Sequence, residues 1–222
     1  MSIFGIFIYV MEFMGTVAFA ISGASLGIRR GMDLFGVVIL GTVTAIGGGA
    51  LGDGILGIHP PSALANPRDI IFAIITSILV FTFSYLKVKA KIPLKDKILF
   101  FMDSIGVSIF TVIGVNRAFA VARKPNFFLL VFVGLATGTC GGMMRDVLAG
   151  QIPFIFRKHI YSAACIAGAF LCVVLWQYIH PGNAMVIGGA CIFVLRFLGD
   201  YFNWNLPRID VPENDFKKLE DD

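Results

Sequence analysis

The sequence predicts an all-α membrane protein with seven transmembrane helices, arranged as two inverted three-helix repeats plus a seventh helix. The first observation is composition: 57% of the 222 residues are apolar, only 14% are charged, and the mean hydropathy is +0.85. Soluble domains carry about 25% charged residues, so this chain has too little polar surface for a water-soluble globule. The second is that the apolar residues form runs of about twenty, enough to cross a hydrocarbon core. The third is an internal repeat.

The apolar runs predict seven spans within a single transmembrane domain, residues 1–204. They are Ile3–Gly27, Leu34–Leu56, Asp69–Leu86, Ile98–Val115, Phe127–Leu148, Ile160–Ile179 and Ala184–Phe202. Repeat 1 covers about 3–87, repeat 2 about 97–180, and the seventh helix about 184–202. Residues 205–222 are predicted to be a polar cytoplasmic tail.

The distribution of Lys and Arg between the spans predicts the orientation. Twelve basic residues fall on one side of the predicted membrane and four, at 68, 117, 123 and 124, on the other. Positive residues mark the cytoplasmic side. We therefore expect a multi-pass protein of the cell (inner) membrane with its N-terminus outside and its C-terminus in the cytoplasm. The basic residues lie in these connectors and in the tail, so the net charge of +4 does not indicate a nucleic-acid partner.

The internal repeat appears when the chain is shifted by 93 residues, which places the second span on the fifth. Matched pairs include Asp33 with Asn126, Asp53 with Asp146, Gly57 with Gly150, and Pro60 with Pro153. Asp33 and Asn126 are both suited to cap a helix N-terminus. A three-helix unit must enter the membrane upside down in its second copy, which is the inverted-repeat architecture of many transport proteins.

Consecutive glycines interrupt the second and fifth spans at Gly47, Gly48 and Gly49, and at Gly141 and Gly142. Each glycine weakens a helix by about 1 kcal/mol relative to alanine. The pattern therefore predicts a kink or an unwound turn whose carbonyls face protein or a hydrated cavity. The alternative is close helix packing, because small residues also recur every fourth position along both spans.

Charged residues stand at the ends of these spans: Asp53 in the first copy, and Arg145 with Asp146 in the second. An ionisable group within a span costs roughly 2.5–3.5 kcal/mol and usually faces a pore or a partner. Two interpretations stay open. These residues line or gate a pore, or Arg145 pairs with Asp53 or Asp146 and locks the halves together.

Other polar residues within spans are weaker candidates. Hydroxyl groups that could line a hydrated path are those of Ser22, Thr44, Thr111, Thr137 and Thr139. Their alternative role is a hydrogen bond to their own backbone. Four further charged residues are expected near the membrane interfaces: Glu12, Asp103, Arg196 and Asp200. No catalytic, cofactor-binding or metal-ligand motif appears, so neither an enzyme nor a cofactor is indicated.

Three segments of the sequence resemble those of a known family. They are the run Gly15–Gly23, the segment Gly27–Gly36, and Gly-Gly-x-x-Arg-Asp at Gly141–Asp146. Over roughly Phe13 to Phe202 the chain resembles the prokaryotic trimeric intracellular cation (TRIC) channels and the related bacterial "glycine transporter" domain family. The resemblance implies seven spans, a homotrimer, and one ion path per protomer between the first, second, fourth and fifth spans. It also implies permeation of K⁺ and other monovalent cations. The first copy departs from the family pattern at Gly52, where the family commonly has Arg.

Three functional hypotheses follow. The first is a passive monovalent cation channel, permeable to K⁺ and to Na⁺. In it, transient K⁺ contacts the Gly47–Gly49 and Gly141–Gly142 carbonyls, and Asp53 and Asp146 supply negative potential. The second is a secondary transporter of a small solute such as glycine, which inverted repeats suit equally well. The third is a scaffold without transport activity. The expected partners of the channel are other copies of the chain, the permeating cations and membrane lipids.

Overall fold

A computed structural model describes residues 2–89, 97–157, 160–202 and 204. Over these ranges the chain forms nine α-helices and no β-strand. They are α1 (Ile3–Arg29), α2 (Leu34–Leu56), α3 (Ser62–Ala65), α4 (Arg68–Lys89), α5 (Lys97–Val121), α6 (Phe127–Leu148), α7 (Phe154–Arg157), α8 (Ile160–Leu175) and α9 (Pro181–Tyr201). The predicted tail at 205–222 lies outside the described residues.

The structure confirms an all-helical membrane protein. In the described part of the chain six helices are long and apolar enough to span a bilayer, and α8, with 16 residues, is a shorter apolar helix. Two helix ends differ from the approximate predicted bounds by four residues or more. The fourth span continues to Val121 instead of ending at Val115, because Arg117 has anionic partners that remove the cost of burying its charge. The sixth ends at Leu175 instead of Ile179, and the ring of Trp176 in the following turn stacks on Phe119.

Helix α5 lies at the centre of the helical bundle. It packs against α1, α6, α8 and α9, and it is the most buried of the candidate spans. Its apolar side chains Val107, Phe110 and Ile113 belong to the main hydrophobic core together with Phe19 of α1. Helix α4, which packs against α1 and α2, is the least buried. Elements on opposite sides of the fold are therefore brought together through α5.

The glycine-rich segments are helical throughout, so the predicted unwound turns are wrong. Helices α2 and α6 cross closely at these glycines. A methyl group added to Gly48 would overlap the carbonyl oxygen of Thr137, and one added to Gly141 would overlap that of Thr44. The close approach of the two backbones outweighs the weak helix propensity of glycine. Carbonyls inside an unbroken helix accept from the amide four residues on, so the carbonyls of Gly47–Gly49 and Gly141–Gly142 lack the unwound backbone that was expected to present them to K⁺.

Positions matched by the 93-residue shift have the same local geometry. The side chains of Asp33 and Asn126 accept hydrogen bonds from the amides of Gly36 and Leu129, which confirms both predicted N-caps. At the opposite ends of these helices Gly57 and Gly150 both have positive φ, 72° and 67°. These left-handed residues turn the chain so that each helix is followed by a short helix, α3 or α7.

Candidate functional site

A buried ionic cluster lies where α6 ends, and we call it the α6-end cluster. It consists of Ser22, Asp103, Arg145, Asp146 and Arg196. Arg145 donates from Nη1 to Asp103 Oδ1 at 2.6 Å and from Nε to Asp146 Oδ1 at 2.8 Å. The same Nη1 donates to the Ser22 hydroxyl on α1. Arg145 therefore joins α1, α5 and α6.

Arg196 on α9 extends this cluster. Its Nη2 donates to Asp103 Oδ2 at 2.6 Å, and its guanidinium lies 3.9 Å from the ring centre of Tyr161. Two arginines and two aspartates give the cluster a formally neutral charge, and none of these four residues is more than 4% exposed. Asp103 and Arg196 are thus buried inside the protein. Burial is tolerable because each charge has an opposite charge within hydrogen-bonding distance.

Asp146 also fixes the backbone beyond the helix. Its Oδ2 accepts from the amide of Phe154, the first residue of α7, at 2.9 Å. Gln151 donates to its Oδ1 and in turn accepts from Arg30, which follows α1, at 2.8 Å. The α6-end cluster is therefore connected to the turn between α1 and α2.

A second cluster lies where α2 ends and consists of Glu12, Asp53 and Arg117; we call it the α2-end cluster. Arg117 on α5 donates to Asp53 Oδ1 on α2 and to Glu12 Oε1 on α1, both at 2.8 Å. The other oxygen of Asp53 accepts from the amide of Ser62, the first residue of α3, at 2.7 Å. Asp53 and Asp146 thus have the same arrangement. One carboxylate oxygen accepts from an arginine, and the other accepts from the first backbone amide of the short helix that follows.

The arginines of the two clusters come from different places. Arg145 precedes its aspartate in sequence, whereas the matched position in the first copy is Gly52. A side chain at Gly52 would overlap the hydroxyl of Thr137 on α6. Arg117 of α5 supplies the cation instead. The proposed pairing of Arg145 with Asp53 is therefore wrong, while its pairing with Asp146 is confirmed by the geometry.

The α2-end cluster borders an open polar cavity. This outer cavity has a volume of about 250 Å³. Its lining consists of Tyr9, Glu12, Ser62, Asn66, Arg68, Asp69 and Arg117. Asp69 and Arg117 also line a narrower inner cavity of about 20 Å³, which reaches Asp53 and Gly49. That volume accommodates about one water molecule. The two cavities together lead from the end of α2 into the bundle between α1, α2 and α5.

A stacked pair of aromatic rings borders the inner cavity through Phe110. Phe110 lines it, and the ring of Phe110 stacks on that of Phe19 with centroids 5.3 Å apart. Phe19 is 1% exposed and occupies space left by Gly106 and Gly141, since a methyl group on either would contact its ring. The described residues therefore form a polar cavity at the α2 end, a stacked aromatic pair in the core, and an ionic cluster at the α6 end.

The predicted site residues divide between cavity and packing. Gly49 and Asp53 line the inner cavity. Thr44 and Thr139 donate to the carbonyls of Leu40 and Leu135 in their own helices, which is the alternative that the sequence left open. The remaining predicted hydroxyls are buried: Ser22 in the α6-end cluster, Thr111 against Gly138, and Thr137 against Gly48 and Gly52.

Sequence reasoning missed Arg117, Phe19 and Phe110, and it did not pair Asp103 with Arg196. Arg117 follows the predicted fourth span, which ends at Val115, so it was counted among the basic residues outside the membrane. Its distance from Glu12 and Asp53 along the chain leaves no local signal. The phenylalanines are two of 22 and carry no distinguishing pattern.

The fold and the two clusters define a multi-pass helical membrane protein with buried charged clusters and a polar cavity. A family model described as "Glycine transporter" matches residues 9–85 and again 100–177. An inner membrane protein of Escherichia coli K12, YadS of the UPF0126 group, is 35% identical over 93% of this chain and 98% of its own. A UPF0126 membrane protein of Deinococcus radiodurans is 33% identical over 91% of this chain and 92% of its own.

Solved structures of TRIC cation channels are similar to this chain in fold and in sequence. A TRIC cation channel has 32% identity and a TM-score of 0.79, covering 95% of this chain and 99% of its own. The TRIC orthologue from Rhodobacter sphaeroides has 31% identity and a TM-score of 0.81, covering 89% and 98%. The chain belongs to the family described by the glycine-transporter model, and the TRIC resemblance predicted from the sequence is confirmed.

Proposed function

We propose that the protein is a passive channel for monovalent cations, permeable to K⁺ and Na⁺, with an ion path inside each protomer. The observation that carries this proposal is the polar cavity that leads past Asp69 and Arg117 to Asp53 and Gly49. Carboxylates in a low-dielectric cleft raise the local concentration of cations. The similar solved structures, which are of cation channels, support the same conclusion.

The path runs between α1, α2, α5 and α6. A cation enters the outer cavity beside Glu12 and Asp69 and reaches the inner cavity beside Asp53. It next meets the Phe19–Phe110 pair, where an apolar constriction prevents conduction by excluding water. It then meets the neutral α6-end cluster. Conduction requires that the rings separate and that Arg145 leaves the line between Ser22 and Asp103, so Arg145 both braces the closed arrangement and gates it.

The assembly and orientation belong to the same proposal. The protein forms a homotrimer in contact with membrane lipids, as the description of its Rhodobacter sphaeroides relative as trimeric supports. The halves are inverted repeats, which the double match to one family model supports. With the N-terminus outside the cell, the polar cavity opens to the outside and the α6-end cluster lies towards the cytoplasm.

Single-channel recording tests the proposal. The purified protein is placed in planar bilayers under a KCl gradient, and unitary currents that reverse near the K⁺ equilibrium potential are expected. Bilayers that receive the same detergent buffer without protein serve as the control. Silence in bilayers together with saturable glycine uptake into liposomes would overturn the channel and favour a transporter.

A further inference from the structure

We infer that Arg117 sets which cation charge the path accepts: it keeps the inner cavity suited to a monovalent ion and unsuited to a divalent one. The inference rests on the proposed channel function and assigns a specificity-determining role to one residue. Arg117 is the only arginine among the residues that line the inner cavity as the structure describes it.

The charge of the inner cavity is small. Its charged lining residues are Asp53, Asp69 and Arg117, so two carboxylates face one guanidinium and the formal charge is −1. The guanidinium is close to the narrow part: its Nη1 lies 2.8 Å from Asp53 Oδ1, and 3.8 Å from where a methyl group on Gly49 would stand. An ion that passes Gly49 therefore passes Arg117.

A formal charge of −1 favours a monovalent cation for an electrostatic reason. Attraction to a net charge of −1 grows in proportion to the charge of the ion. The cost of removing water from the ion in a narrow cavity grows with the square of that charge, so a weakly negative cavity compensates a monovalent cation better than a divalent one. Without Arg117 the same cavity would hold two carboxylates and no cation. Sites rich in carboxylate oxygens are those that bind divalent ions well.

Arg68 provides a matched comparison. It lines the outer cavity but not the inner one, donates to Asn66 at 3.1 Å, and lies over the ring of Tyr9. Its removal changes the charge of the outer cavity by the same amount as removal of Arg117. It leaves the charged residues that line the inner cavity unchanged, because Arg68 is not among them. A general effect of surface charge would act equally through both arginines, whereas the proposed effect acts chiefly through Arg117, which contacts Asp53 beside Gly49.

The test measures the Ba²⁺ concentration that halves the K⁺ current of the reconstituted protein. The variants are R117Q, R117K, R117Q/D53N, D53N and R68Q. R117Q is expected to lower the half-blocking concentration by at least about tenfold, since a unit charge several ångströms away changes divalent occupancy by an order of magnitude or more. R117K keeps the formal charge of the inner cavity at −1, R117Q/D53N restores it to −1, and R68Q does not change it. The half-blocking Ba²⁺ concentration of these three variants should therefore stay near that of the unmodified protein. D53N takes the charge to zero and should weaken block.

Two outcomes would overturn the inference: block in R117Q equal to that of the unmodified protein, or an equal gain of block in R68Q. If R117Q does not fold, D53N decides, because unchanged block in that variant contradicts the charge argument. Failure of the proposed channel looks different, since the unmodified protein would then carry no K⁺ current at all.

Discussion

Replacement of Arg145 by methionine tests the α6-end cluster. The change removes a fully buried charge that contacts two carboxylates and one hydroxyl, but keeps a similar apolar stem. Asp146 then loses its arginine, and Asp103 keeps only Arg196. Breaking a buried ion pair by removing one partner costs about 3–5 kcal/mol, because the remaining charge stays desolvated.

We expect two effects of R145M. The protein should unfold at a lower temperature in detergent while still assembling, and the open probability in bilayers should rise because the closed arrangement loses its connection between α1, α5 and α6. The double variant R145M/D146N removes the orphaned carboxylate as well. It should recover part of the lost stability, since no uncompensated charge remains at that position.

The two readouts separate bracing from gating. A loss of stability with unchanged open probability would show that Arg145 only braces the bundle. Unchanged stability in R145M would refute the electrostatic reasoning itself, because a buried arginine with two carboxylate partners cannot be removed without cost if those contacts exist as described.

Three further predictions concern packing and the ion path. Gly48→Ala should prevent stable folding, seen as loss of monodisperse protein, because its methyl group overlaps the α6 backbone. The control is Gly54→Ala, which has open space around the added methyl group and should be neutral or stabilising by up to about 1 kcal/mol. Phe19→Ala should increase K⁺ current by opening the proposed constriction, at a cost of about 3–5 kcal/mol in stability. The control is Phe83→Ala, which removes a ring that is 62% exposed. An equal rise in current in that variant would contradict a constriction at Phe19. Asp53→Asn should reduce K⁺ conductance more at low than at high ionic strength, since salt screens the lost charge; a loss independent of salt would point to misfolding instead.

The sequence predicted the parts of the fold that depend on composition and local chemistry. Long apolar runs identified the spanning helices, and the side chains of Asp33 and Asn126 identified two helix starts, because a cap requires only residues within one turn. Matched positions such as Asp53 and Asp146 were found for the same reason. Each occurs at a fixed distance from a glycine that ends a helix.

The contacts between helices could not be predicted in this way. Asp103 and Arg196 lie 93 residues apart, and which face of each helix points inwards depends on the packing of the whole bundle. The glycine runs were misjudged for a related reason. Their low helix propensity is a local property, whereas the tight crossing of α2 and α6 that keeps them helical involves residues such as Thr137 far along the chain.

The different origins of the two cluster arginines bear on how the chain is made. Asp53 and Glu12 belong to the first half of the protein, yet their shared arginine is on α5, in the second. Since chains are synthesised from the N-terminus, the first helices reach the membrane before Arg117 exists. Each unpaired carboxylate costs roughly 2.5–3.5 kcal/mol within a span. The first half thus remains an incomplete intermediate until α5 inserts beside it, whereas the four charges of the α6-end cluster all lie on α5, α6 and α9 and balance one another.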